Sequence, residues 1–193
     1  MRRGEINRKT GETDIRCSVQ LDGEGKADIK TGIGFLDHML GALAKHSRID
    51  ITLSCTGDLE VDDHHTAEDC ALALGGAIDA ALGERRGIYR FGDAHAPLDE
   101  ALARAVVDLA GRPSPHVALG LRRDSIGDIS SESLTHVLMS LGTAMRAALH
   151  VDVLKGENDH HKVEAAFKAT ALALRHAVAH DGSTQVPSTK GVL

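Results

Sequence analysis

Tryptophan is absent from this chain, and one tyrosine and three phenylalanines leave the aromatic content at 2% of 193 residues. A core without large rings has to be filled by short aliphatic side chains. With 42% apolar residues there are enough of them for one compact domain, or for two small halves sharing a core. Cysteine is scarce as well: Cys17, Cys55 and Cys70 are odd in number and show no CxxC spacing. They read as reduced, buried thiols rather than as a disulfide framework or a zinc site. No stretch approaches the apolar length of a membrane span, and the opening MRRGEINRKTGETD lacks the apolar core of a signal peptide. The expectation is a soluble, cytoplasmic protein. Basic residues are not in excess either. Lys and Arg total 22 against 28 Asp and Glu, and a net charge of −6 argues against broad nucleic-acid binding.

Histidine is abundant: the chain has 12, spread along its length rather than gathered in one run. Imidazole is the commonest side-chain metal ligand and titrates near neutral pH, so its distribution carries information.

Hydrophobic periodicity orders the chain. Ile15, Cys17, Val19 and Leu21 alternate with polar residues as a strand, and Ala27 and Ile29 continue as a second after a turn. Phe35, Leu36, Met39, Leu40 and Leu43 recur at helical spacing, Ile49 to Cys55 alternate again, and an Ala/Leu-rich helix is predicted over about 66–82. The second half repeats this order. Ala103 to Leu109 and Val117 to Leu121 read as strands, about 131–147 as a helix, Val151 and Val153 as a strand, and about 161–179 as a helix. The polar segment 83–99 between the halves is not a low-complexity linker. The expected fold is α+β: two pseudo-symmetric repeats of strand-strand-helix-strand-helix, with helices packed against mixed β-sheets. Residues 1–193 read as a single domain, its repeats at about 10–85 and 99–182, followed by a tail over 183–193.

The chemistry repeats with the pattern. Asp63-His64-His65-Thr66-Ala67-Glu68 matches Asp159-His160-His161-Lys162-Val163-Glu164, displaced by 96 residues. Leu36-Asp37-His38-Met39-Leu40 matches Leu134-Thr135-His136-Val137-Leu138, displaced by 98. On a helix, His64 and Glu68 lie about 40° apart on one face, while His65 is turned about 100° from His64. Adjacent histidines splay too far to chelate one ion easily, but each can serve a different ion. The candidate metal ligands are therefore His38, His64, His65, Glu68, His136, His160, His161 and Glu164. They suffice for two divalent ions with about four protein ligands each, leaving positions for substrate or water. Imidazole with carboxylate suits Mn, Fe, Co, Ni or Zn. For a single copy, a solvated helix start is an equal explanation of Asp-His-His; the second copy with its matched upstream histidine argues against it. His46, eight residues after His38, is a further candidate to line the site.

At these residues the chain resembles the imidazoleglycerol-phosphate dehydratase family. The resemblance runs through Gly34-Phe35-Leu36-Asp37-His38-Met39-Leu40, Asp62 to Asp69, Gly111-Arg112-Pro113, Gly156 to Glu164 and Pro187-Ser188-Thr189-Lys190-Gly191. It implies a hydro-lyase of histidine biosynthesis that dehydrates D-erythro-imidazole-glycerol phosphate to imidazole-acetol phosphate. It also implies two manganese ions and a homo-oligomer of 24 subunits built from trimers, with sites formed between subunits. Its partners would be a small phosphorylated imidazole, with no nucleic acid and no membrane.

The same resemblance points to Glu12 as a substrate-contacting group. A carboxylate is needed to abstract a proton from the carbon beside the ring, and Glu12 and Asp99 are the two candidates. Arg90, Arg112, Lys168, Ser188 and Lys190 match the family's phosphate-binding positions, where charge-assisted hydrogen bonds are required. Two other classes remain open. A dinuclear metallohydrolase would use more Asp, and a metal-storage shell would need no grip on phosphate.

Overall fold

The computed structural model describes residues 1–193. Its first half runs β1 (Arg3–Lys9), β2 (Thr13–Gln20), β3 (Ala27–Lys30), α1 (Gly34–Ser47), β4 (Asp50–Gly57) and α2 (His64–Leu82). The second runs β5 (Phe91–Leu98), β6 (Ala101–Asp108), β7 (Ser114–Ala118), a small hairpin of β8 (Ser125–Ile126) and β9 (Ile129–Ser130), α3 (Ser131–Ala144), β10 (Ala148–Lys155) and α4 (Asp159–Ala177).

Each half forms a four-stranded sheet of the same topology, β1-β2-β4-β3 and β5-β6-β10-β7. In both sheets the last pairing is parallel and the others are antiparallel. The α+β class and the duplication are as expected, and the sheets are mixed. Each half nevertheless starts one strand earlier than the apolar pattern predicts. The inward residues of β5 are Gly92, Ala94 and Ala96, and β1 turns Gly4 inward, so size alternates there and hydropathy hardly does. These glycines have a steric reason. A Cβ on Gly4 would overlap the backbone carbonyl of Ala77 in α2, and one on Gly92 would overlap that of Ala173 in α4. β7 also sits about three residues earlier than Val117–Leu121.

The helices lie between the two sheets. α2 packs on β1 and β2, α4 on β5 and β6, and the halves meet through α1 against α4 and α2 against α3. As the missing aromatics require, the core is aliphatic, and Phe167 is its one fully buried ring. All three cysteines are free. Cys17 and Cys70 are buried, but Cys55 is only half-buried, a correction to the expectation, because it lies near the open end of β4.

Candidate metal centre

Local capping sets where the histidine pairs stand. The Asn158 side chain accepts hydrogen bonds from the backbone N–H of His160 and His161, starting α4 at the pair. In α2, Asp62 accepts from His64 N–H at 2.8 Å. Each pair thus occupies a first helical turn, with a glutamate one turn on. The N-terminus of α1 is capped from the other half, where Asp128 accepts from Gly34 and Phe35 N–H at 2.6 and 3.0 Å.

Two groups of ligand-type side chains result, His38 with His160 and Glu164, and His64 with Glu68 and His136. Within each, the potential donor atoms lie within 4.8 Å of one another. Donors about 2.1 Å from a common ion would stand roughly 3–4 Å apart, so both groups have the composition and the spacing to hold one. Each group draws on both halves of the chain. His38 comes from α1 and its partners from α4; His136 comes from α3 and its partners from α2. Glu164 Oε2 lies 3.2 Å from Nε2 of both His38 and His160. Glu68 lies 2.9 Å from His136 Nε2 and 3.9 Å from His64 Nε2.

His65 and His161 turn away from these groups, as the helical angle requires. Each is held through Nδ1: His65 by Asp58 at 2.9 Å and His161 by Glu100 at 2.7 Å. These hydrogen bonds raise both imidazoles above their ordinary value. Backbone N–H from Asn158, then His161 and Glu157 N–H, hold the Glu100 carboxyl down at about 2. With Nδ1 occupied by a carboxylate, Nε2 is left without a hydrogen bond, the arrangement usual where histidine binds a metal. Glu12 lies 3.7 Å from His65 Nε2, and Asp99 lies 3.8 Å from His161 Nε2. The two candidate bases therefore occupy equivalent positions in the two halves.

The phosphate candidates divide. Arg90 bonds both oxygens of Asp108, at 2.7 and 3.0 Å, and donates to the Pro187 carbonyl at 2.9 Å. That bond, with Gly87 N–H to the Gln185 carbonyl at 2.8 Å, ties down the tail that carries Ser188 and Lys190. The end of the tail, Leu193, abuts Gly111, beside the exposed Arg112. Lys168 stands apart from these four, with its ammonium 2.6 Å from Glu164 Oε1. Burial alone would raise Glu164, but Lys168, His38 and His160 outweigh it and hold the carboxyl at about 2. His46 lies close enough for burial, and then Lys168, to hold it below the ordinary imidazole value.

Asp58, Glu100 and Asp128 are absent from the sequence expectations. Asp58 and Glu100 play one role from unrelated chain positions, so the repeat does not display them. Glu100 alone offered a signal, as the neighbour of Asp99.

A duplicated α+β chain with two clustered sets of imidazoles and carboxylate, each bridging the halves, defines the class: proteins with two candidate metal-binding groups at the junction of two repeats. Comparison with known proteins narrows this. The family model for imidazoleglycerol-phosphate dehydratase matches residues 31–174. The imidazoleglycerol-phosphate dehydratase of Phaffia rhodozyma is 55% identical over 198 residues, covering 100% of this chain and 97% of that protein. That of Phytophthora nicotianae is 58% identical over 193 residues, and there the whole chain matches 43% of a longer protein. The crystal structure of the Pyrococcus furiosus enzyme superposes with a TM-score of 0.84 at 38% identity, covering 97% of this chain and 100% of that one. The chain belongs to the imidazoleglycerol-phosphate dehydratase family, hydro-lyases of histidine biosynthesis.

Proposed function

We propose that the chain dehydrates D-erythro-imidazole-glycerol phosphate to imidazole-acetol phosphate at a dinuclear metal site, with Mn2+ as its ion. The observation that carries this reading is the pairing of each His₂Glu group with a neighbouring histidine whose Nε2 is free and whose Nδ1 is held by a carboxylate. His38, His160 and Glu164 would hold one ion, and His64, Glu68 and His136 the other. His65 and His161, facing outward, would complete the sets of adjacent subunits in a homo-oligomer, which the family resemblance puts at 24 copies built from trimers.

When bound, the ions supply Lewis acidity that polarises the substrate imidazole and stabilises developing negative charge on it. The protein's side chains do the rest. Glu12, or Asp99 at the equivalent place in the other half, takes the proton from the carbon beside the ring. Arg112, Ser188 and Lys190 grip the phosphate. Arg90 joins them, since each of its two terminal nitrogens keeps a second N–H after bonding Asp108 and Pro187. Lys168, whose ammonium lies beside Glu164, is the remaining phosphate candidate, and His46 lines the site. No helix is long and apolar enough to cross a membrane; a cytoplasmic location suits a biosynthetic enzyme with three free thiols.

The test is turnover. Metal-free protein should be inert, and Mn2+ should restore dehydration of imidazole-glycerol phosphate, with two ions bound per active site. A fully loaded protein that leaves this substrate unchanged would overturn the reading.

A further inference from the structure

Below Lys168, the seam between α1 and α4 runs on to a cavity of which the proposed reaction uses only His46, at its inner edge. Glu164, Lys168 and Arg175 fall on one face of α4, and Lys45 lies two turns beyond His38 on the matching face of α1. The seam therefore leads from the His38–His160–Glu164 group over about 16 Å of helix to its far end. There Lys45, His46, Arg48, Leu172 and Arg175 line an open cleft of about 450 Å³. Lys45, Arg48 and Arg175 form no ion pair and donate no side-chain hydrogen bond within the chain. The one carboxylate of the lining, Glu24, is engaged by Lys26 Nζ at 2.8 Å. The rim itself is fixed, because Asp50 accepts from Glu24 and Lys26 N–H, each at 2.8 Å.

The pseudo-symmetric counterpart shows that this charge is not a by-product of the fold. Shifted by the repeat, Lys45 becomes Thr143, His46 becomes Ala144, Arg48 becomes Arg146, Lys168 becomes Leu72 and Arg175 becomes Asp79. Arg48 and Arg146 share a left-handed backbone, with φ of 63° and 55°. In the counterpart, however, Asp79 binds Arg85 and stands 3.9 Å from Arg146. That end is closed by its own carboxylate. The α1/α4 end replaces the carboxylate with a third cation and leaves all three open.

We propose that Lys45, Arg48 and Arg175, with His46, form a docking site for a phosphate-type oxyanion at the outer end of this seam. Its ligand is either the substrate's own phosphate on its way to the metal group or a separate free oxyanion held beside the substrate. The two sources share one chemistry and differ in kinetics.

Inorganic phosphate titrated calorimetrically into the metal-loaded full chain tests the site, whether or not the dehydration assay succeeds. The double variant Lys45→Gln/Arg175→Gln should lower phosphate affinity about tenfold or more and flatten its salt dependence. Arg175→Asp, which copies Asp79, should abolish the binding isotherm of this cleft and leave that of the Arg90, Arg112, Ser188 and Lys190 grip in place. Arg123→Gln, an exposed cation elsewhere, should leave it unchanged. Wild-type phosphate affinity in the double variant, with only its thermal midpoint lowered, would mean that these cations merely offset the dipoles of the α1 and α4 C-termini, and the proposal would fall. Once binding is lost, steady-state kinetics assign the source. A raised KM with kcat unchanged marks the substrate's own phosphate as the ligand. An unchanged KM marks a free oxyanion.

Discussion

The two His₂Glu groups are built from matching residues on matching helices, yet they sit in different electrostatic surroundings. The Glu164 side chain is 13% exposed and has an ammonium beside it; the Glu68 side chain is 33% exposed, and Leu72 stands where the other half has Lys168. Duplication preserved the ligand types and their placement while the charges one turn away diverged. Donor geometry in a repeat protein is thus set by the helix start, and the residues one turn further are free to specialise. Here one group lies on a seam that ends in unpaired cations, and the other on a seam whose end is closed by Asp79.

The largest effects are expected when the two carboxylates are removed separately. Glu164→Gln and Glu68→Gln should each lower metal affinity by more than about 100-fold, beyond the range for residues that only orient a ligand. Glu164→Gln should be the worse, because it leaves the Lys168 cation facing the ion unopposed; equal losses by equilibrium dialysis would show that the lysine is irrelevant to the metal. Glu12→Gln and Asp99→Asn probe the divergence at the bases. The true base should lose about 10²-fold or more in kcat with its metal content intact, and its counterpart much less. If both variants turn over normally, neither carboxylate moves the proton.

Smaller effects are expected at the orienting carboxylates. Asp58→Asn and Glu100→Gln should weaken metal binding about 10–100-fold, measured by competition with a chromophoric chelator. In metal-free protein the Glu100–His161 pair also has a pH signature. Glu100 is depressed from 4.5 to about 2, so its contribution to stability is present above 4.5 and fades as pH falls toward 2. His161 is raised above 6.5, so its contribution is full below 6.5 and is lost as pH rises through the raised value. Glu100→Gln should remove stability mainly between those limits, and a uniform loss at all pH would contradict the pairing. The mildest change is Lys168→Leu, which makes the first group resemble the second. It should tighten the ion there slightly and raise KM for the phosphorylated substrate about tenfold; an unchanged KM would take Lys168 out of substrate binding.

The helices and the histidine repeat were legible in the chain because both follow a period of 3.6 and both occur twice. β1 and β5 were not, since strands packed this closely on a helix carry glycine and alanine inward and show little hydropathy. The splay of His65 from His64 followed from helical angles alone. That His38 would meet His160 and Glu164, rather than His64 and Glu68 of its own half, did not, because it depends on α1 packing against α4. Asp58 and Glu100 escaped notice for a related reason: space makes them equivalent, and chain order does not.

That crossing of the halves bears on folding as well as chemistry. An ion held by either group would be a strap between residues that lie up to 126 positions apart in one group and up to 72 in the other, and neither half presents a complete set alone. Metal binding and the docking of the halves are then one equilibrium seen from two sides. Free ion at 100 times its dissociation constant would add about 2.7 kcal/mol to the native state, and stripping it would loosen the α1/α4 and α2/α3 seams before the sheets themselves.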